Sequence, residues 1–161
     1  MNAGSIYRYI LAGAVLIVLQ SSTGFAVPEK VGTVPDFTLQ SPAGDKITLG
    51  DYIGKKTILL VFWASWCPLC RSAVPRLNSI SSAEKMQVIA VNVEENRRKA
   101  SSFISQYGAA YPVVLDPDGK ATTAFQIPGV PAYVIIDTAG RIVYRGESFP
   151  DSMVSTLSNN H

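Results

Sequence analysis

Phe62-Trp63-Ala64-Ser65-Trp66-Cys67-Pro68-Leu69-Cys70-Arg71 decides how this chain is read, because the sequence holds two cysteines and both fall in this one segment. Thr57 to Trp63 is apolar after its first residue, short and rich in strand formers, as expected of a strand buried on both faces in the middle of a parallel sheet. From Pro68 onward, Val74, Leu77 and Ile80 recur at a spacing of three. They trace a helix with one apolar stripe, and Pro75 is expected to bend it.

Cys67 therefore stands where a strand hands over to a helix. Unpaired backbone N–H groups and the positive end of the helix dipole favour thiolate over thiol there. Motifs of this type hold the nucleophile's pKa at roughly 3.5 to 7.5, against about 8.5 for a free cysteine. The thiolate is the form that attacks a disulfide, and Cys70, one helical turn on and inside the protein, is placed to resolve the mixed disulfide. Pro68 brings a φ already suited to the first helical position, and simple helix initiation explains it equally well. A purely structural Cys67–Cys70 bridge is the alternative, but so short a ring gains little in the loop-entropy model.

Working outward, Phe37 to Gln40 and Ile47 to Leu49 flank the turn-rich Pro42-Ala43-Gly44-Asp45 and read as an N-terminal hairpin. Gln87 to Val93 is a second buried strand. Ala100, Phe103, Ile104 and Tyr107 then follow the i, i+3, i+4, i+7 pattern of a helix ending at Gly108. Tyr111 to Leu115 is a further strand, followed by the turn Asp116-Pro117-Asp118-Gly119 and a brief helix over Thr122 to Phe125. Pro131 to Asp137 and Arg141 to Gly146 suit an antiparallel hairpin through Thr138-Ala139-Gly140, and Val154 and Leu157 mark a last helix. The expected class is α/β, a central mixed sheet with helices on both faces.

At 161 residues, 47% hydrophobic and 16% charged, the chain has the size and composition of one globular domain. Residues 1–26 carry a single charge, Arg8, before an unbroken apolar run from Ile10 to Leu19 and a polar stretch ending Gly24-Phe25-Ala26. They read as an export signal cleaved after Ala26, with an uncleaved membrane anchor over Ile6 to Val27 as the alternative. Residues 27–34 read as a linker and 35–161 as the folded domain. Beyond the signal, 13 basic residues face 12 acidic ones, so nothing favours nucleic acid as a partner. Export and a lone cysteine pair together point to redox chemistry outside the cytoplasm.

The segment from Trp63 to Cys70 resembles the active site of thioredoxins, and the chain from Pro35 onward resembles the exported TlpA/ResA branch of that superfamily. Supporting the branch are Pro35-Asp36-Phe37-Thr38-Leu39, Val91-Asn92-Val93, and the helix and strand inserted between Asn96 and Leu115. The resemblance implies a thioredoxin fold and a thiol-disulfide oxidoreductase needing no cofactor beyond its dithiol. It implies a cis proline facing the sulfurs, for which Gly129-Val130-Pro131-Ala132-Tyr133 is the matching segment and Pro131 the candidate. Val130 would then offer its backbone to an incoming cysteine peptide as an added strand, and Trp66 would present apolar surface to it. Trp63 is assigned to the core. By resemblance the clients are cysteine-containing exported proteins, with cytochrome c or copper-site maturation as the context, and the electron donor is a membrane protein of the DsbD/CcdA kind.

The chain departs from the pattern at its proton acceptors. Thioredoxins bury an acid and a lysine on the two central strands, at positions that are Val61 and Ala90 here. Many ResA-like proteins place a glutamate three residues after the second cysteine, where this chain has Ala73. Glu94 and Glu95 are the candidate substitutes. Without one, Cys70 loses its proton to water or substrate, and slow reductase turnover is expected.

Rival functions remain open. A peroxidase of the same fold carries a threonine where this chain has Ala64. A copper chaperone would use the paired thiolates but adds a histidine ligand, and the sole histidine is the terminal His161, which also leaves no metal site and no Cys-His or Ser-His pair. Reductase, oxidase and isomerase differ by reduction potential, roughly −270 to −120 mV across this motif type, and the Pro68-Leu69 dipeptide does not choose among them.

Overall fold

A computed structural model describes residues 34–84 and 86–159. The expectations for residues 1–26 and for most of the 27–34 linker lie outside the described residues. Val34, the last residue of that linker, already packs against the domain's core. Among the described residues no helix is long and apolar enough to cross a membrane.

Seven strands form one sheet in the order β2-β1-β5-β4-β3-β6-β7. They are β1 Thr38–Gln40, β2 Lys46–Thr48, β3 Ile58–Trp63, β4 Gln87–Val93, β5 Val113–Asp116, β6 Ala132–Ile136 and β7 Ile142–Gly146. The helices are α1 Pro68–Ser82, α2 Arg97–Tyr107, α3 Lys120–Ala124 and α4 Asp151–Asn159, with a 3₁₀ turn over Leu49–Asp51.

The central strand β3 is parallel to β4 but antiparallel to β6. This corrects the expectation that β3 lies among parallel strands, and the sheet is mixed as the overall fold class requires. All six residues of β3 are buried, and strand alternation splits them between two cores. Leu59, Val61 and Trp63 face Val74 and Leu77 of α1, Ala100 and Phe103 of α2 and Val154 of α4. Ile58, Leu60 and Phe62 face Leu49, Ala121 of α3 and Phe125. Helices thus cover both faces, and no position on β3 is free to be polar without a partner.

Helix α1 runs unbroken from residue 68 to 82 through Pro75. The proline ring lacks the N–H that would bond the Arg71 carbonyl, and its exposed position keeps that carbonyl near water. Helix α2 starts at Asn96, whose side chain accepts from the Lys99 N–H, and stops at Gly108, whose φ of 67° suits a residue without Cβ. Its first turn holds Arg97, Arg98 and Lys99 and no acid, three cations at the positive end of the dipole, each disfavoured by about 0.3–1 kcal/mol. The hairpin β1–β2 is tied to the main sheet through the antiparallel pair Gln40–Leu115. The insertion is thereby built into the sheet: β5 bridges the hairpin and β4.

Candidate active site at the start of the first helix

Strand β3 delivers the chain to the carboxyl edge of the sheet, and the turn Ala64 to Trp66 returns it into α1. Cys67 occupies the N-cap of α1 and its Sγ accepts a hydrogen bond from the Cys70 backbone N–H at 3.2 Å. One of the helix's unpaired donors is therefore spent on this sulfur, a favourable contact for negative charge. Cys67 and Cys70 are joined in a disulfide. Both are almost fully buried, Cys67 at 3% and Cys70 at 4%. Cys67 is thus no more open than its partner, whereas its sequence neighbours Trp66 and Leu69 are 67% and 66% exposed. Pro68 is exposed as the first residue of α1.

The Val130–Pro131 bond is cis, and Pro131 is buried at the entry to β6. Pro131 lines a cleft of about 410 Å³ with Leu69, Ala73, Arg76, Tyr133 and Phe149. Arg76 is ion-paired with Asp151 and its guanidinium lies 4.1 Å from the Phe149 ring centroid. Trp63 is 4% exposed and packs on Phe103 at 4.3 Å between ring centroids, inside the core.

The two candidate acids part company. Glu94 adopts a left-handed φ of 54°, a conformation that costs an ordinary residue about 1–2 kcal/mol. This reverses the chain beyond β4 and leaves Glu94 exposed, its carboxylate lying over Gly119. The same reversal carries Glu95 inward, where it is 6% exposed. Glu95 accepts hydrogen bonds from Ser65 N at 2.7 Å, Ser65 Oγ at 2.6 Å and Asn92 Nδ2 at 2.8 Å. Burial pushes its carboxyl up, but the bonds from Ser65 and Asn92 and the nearby Lys99 charge outweigh that and hold it below the ordinary carboxylate value. Ser65 lies within the Trp63–Cys70 segment and Asn92 on β4, and neither is assigned a role from the sequence alone. Only Asn92 carries a local signal, as a polar residue within an apolar strand.

A two-cysteine pair at a helix N-cap, at the end of the central strand of a mixed sheet that also holds a cis proline before β6, defines the class: a thiol-disulfide oxidoreductase of thioredoxin fold. Comparison with known proteins agrees. The thiol-disulfide oxidoreductase ResA of Geobacillus kaustophilus is 30% identical over 84% of this chain and 84% of its own. The thioredoxin-like protein YneN of Bacillus subtilis is 33% identical over 82% of this chain and 85% of its own. A crystal structure of a putative thiol:disulfide interchange protein DsbE from Chlorobium tepidum superposes with a TM-score of 0.70 at 31% identity, covering 80% of this chain and 92% of that one. The Redoxin family model matches residues 30–159, and the chain belongs to that family as a ResA-like member of the thioredoxin superfamily.

Proposed function

We propose that the protein works outside the cytoplasm as a reductase of disulfides in exported proteins, with Cys67 as nucleophile and Cys70 as resolving thiol. The observation that carries this reading is the Cys70 N–H directed at the Cys67 sulfur from the first turn of α1, because it lowers the cost of the attacking anion. In the forward cycle the Cys67 thiolate attacks one sulfur of a client disulfide. A mixed disulfide forms and one client thiolate leaves. Cys70 gives up its proton and attacks Cys67 Sγ, releasing the second client thiolate. Two electrons have passed to the client, and Cys67–Cys70 is left oxidised until a donor dithiol reduces it again.

Val130 and Pro131 are the proposed strand against which the client lies, with Trp66 and Pro68 lending apolar surface beside the sulfur. Neither glutamate is well suited to accept the Cys70 proton: Glu94 faces Gly119, and the Glu95 carboxylate already holds three donors. Resolution then relies on water or the departing client thiolate, and slow turnover follows. A dithiol-bearing membrane protein of the DsbD/CcdA kind is the proposed donor, and cytochrome c maturation a proposed setting.

Equilibration of the purified protein against glutathione or dithiothreitol series tests the direction. A reductase is expected to sit toward the thioredoxin end, about −270 mV, whereas a value near about −120 mV would mark an oxidase and overturn the assignment.

A further inference from the structure

Separate from the Pro131 cleft, α2 forms a second cleft of about 330 Å³ with the active-site turn, lined by Ser65, Arg98, Lys99, Phe103, Gln106 and Tyr107 among others. Ser65 is two residues ahead of Cys67, so this cleft begins at most about 7 Å along the chain from the nucleophile. Arg71, next to Cys70, adds a third cation: its Nη1 donates to Tyr107 Oη at 3.3 Å and its guanidinium lies 5.6 Å from that ring's centroid. Among the described residues, none of Arg71, Arg98 and Lys99 forms a salt bridge. The carboxylates offset them only in part: Glu95 feels the Lys99 charge while held by Ser65 and Asn92, and Glu94 lies over Gly119.

This charge is local, since the whole chain carries only +2. Helix stability does not explain it either, because cations in a first turn oppose the helix dipole. We propose that the cleft receives an acidic side chain of the client close to its reacting cysteine, so that the protein prefers disulfides flanked by Asp or Glu. The inference rests on the dithiol reading above and adds the charge of the client to it. Once a client cysteine is joined to Cys67, a residue two or three positions along an extended client chain lies about 7–10 Å away, the distance at which the cleft begins. A carboxylate arriving there meets two guanidinium forks and one ammonium. A client lysine meets repulsion.

The test uses three synthetic disulfide peptides identical except for the two residues flanking the cysteine: Asp-Asp, Ser-Ser or Lys-Lys. Rates of reduction by the reduced protein are divided by the rates with dithiothreitol, which removes differences in intrinsic disulfide reactivity. The acidic peptide is expected to react about tenfold faster than the serine peptide at low salt, and the lysine peptide more slowly. The preference is expected to collapse near 1 M salt, where the screening length falls to about 3 Å. The double variant Arg98→Glu/Lys99→Glu is expected to invert the order of the three normalised rates, with Arg98→Gln/Lys99→Gln abolishing the preference if the reversal disturbs folding. Equal normalised rates, or a wild-type preference for lysine, overturn the proposal while reduction of the serine peptide keeps the dithiol reading intact. Failure to reduce any of the three overturns both.

Discussion

The Glu95 carboxylate accepts hydrogen bonds from both the backbone N–H and the hydroxyl of Ser65, at 2.7 and 2.6 Å, across thirty residues of sequence. Parallel pairing of β3 with β4, with Trp63 beside Asn92 in the last register, brings these two chain segments together. The bond fixes the turn that presents Cys67. Replacing Glu95 by Ala leaves the Ser65 N–H and the Asn92 amide without their acceptor, each at a cost of about 1–3 kcal/mol where water cannot reach. We expect Glu95→Ala to lose about 2 kcal/mol in urea unfolding and to slow attack by Cys67. An unchanged midpoint would show that the clamp carries no stability.

The same carboxylate sets a pH dependence. Its folded pKa is depressed below the ordinary 4.5, so its contribution is fully present above 4.5 and fades as pH falls through the lower folded value. The stability gap between wild type and Glu95→Gln is expected to narrow as pH drops from about 7 to about 3. Chemical denaturation at several pH values measures that gap, and a constant gap contradicts the assignment.

Much of this architecture was written locally in the chain. Continuous apolar runs mark β3 and β4 because strands covered on both faces admit few polar side chains, and Gly108 marks the end of α2 because its left-handed φ suits glycine. The cysteine spacing identified the dithiol for a similar reason: strand, turn and helix are adjacent in sequence. Glu95 was less legible. Next to Glu94 and Asn96 it looks like one more solvated residue, and its burial depends on the reversal at Glu94 and on partners 30 and 3 residues away. Attachment of β1 to β5 through the Gln40–Leu115 pair is non-local in the same way, and so is the reversed direction of β6.

The unequal roles of the two sulfurs lead to unequal variants. With Cys70→Ala, attack by Cys67 still proceeds but nothing resolves the product, so a lasting mixed disulfide with a client peptide is expected by mass spectrometry. Cys67→Ala is expected to abolish exchange while the domain stays folded, since a nearly buried sulfur is exchanged for a methyl group at small loss of packing. In the reduced protein Cys67 is also expected to be alkylated at lower pH than Cys70, because the helix N-terminus favours its thiolate. Full exchange activity in Cys67→Ala would reverse the assignment.

Ala73 offers a gain-of-function test of the missing proton acceptor. It is 8% exposed, lies one turn past Cys70 on α1 and lines the cleft beside Pro131. A carboxylate introduced there as Ala73→Glu would reach the cleft rather than the closed core, with Arg76 along the same wall. Free of the three hydrogen bonds that hold Glu95, and partly buried, it is a better placed base for a thiol, although the Arg76 charge works against a rise in its pKa. If deprotonation of Cys70 limits resolution, Ala73→Glu is expected to raise steady-state reduction of a peptide disulfide by about tenfold at neutral pH, at the low end of what a positioned base contributes. Its cost is expected as about 1–3 kcal/mol of stability for placing a larger polar group at a nearly filled position. The rate of the first step, formation of the mixed disulfide in a Cys70→Ala background, is expected to stay the same with and without the new glutamate. A variant that accelerates the first step and leaves resolution unchanged would mean that the loss of the Cys70 proton is not what limits this protein.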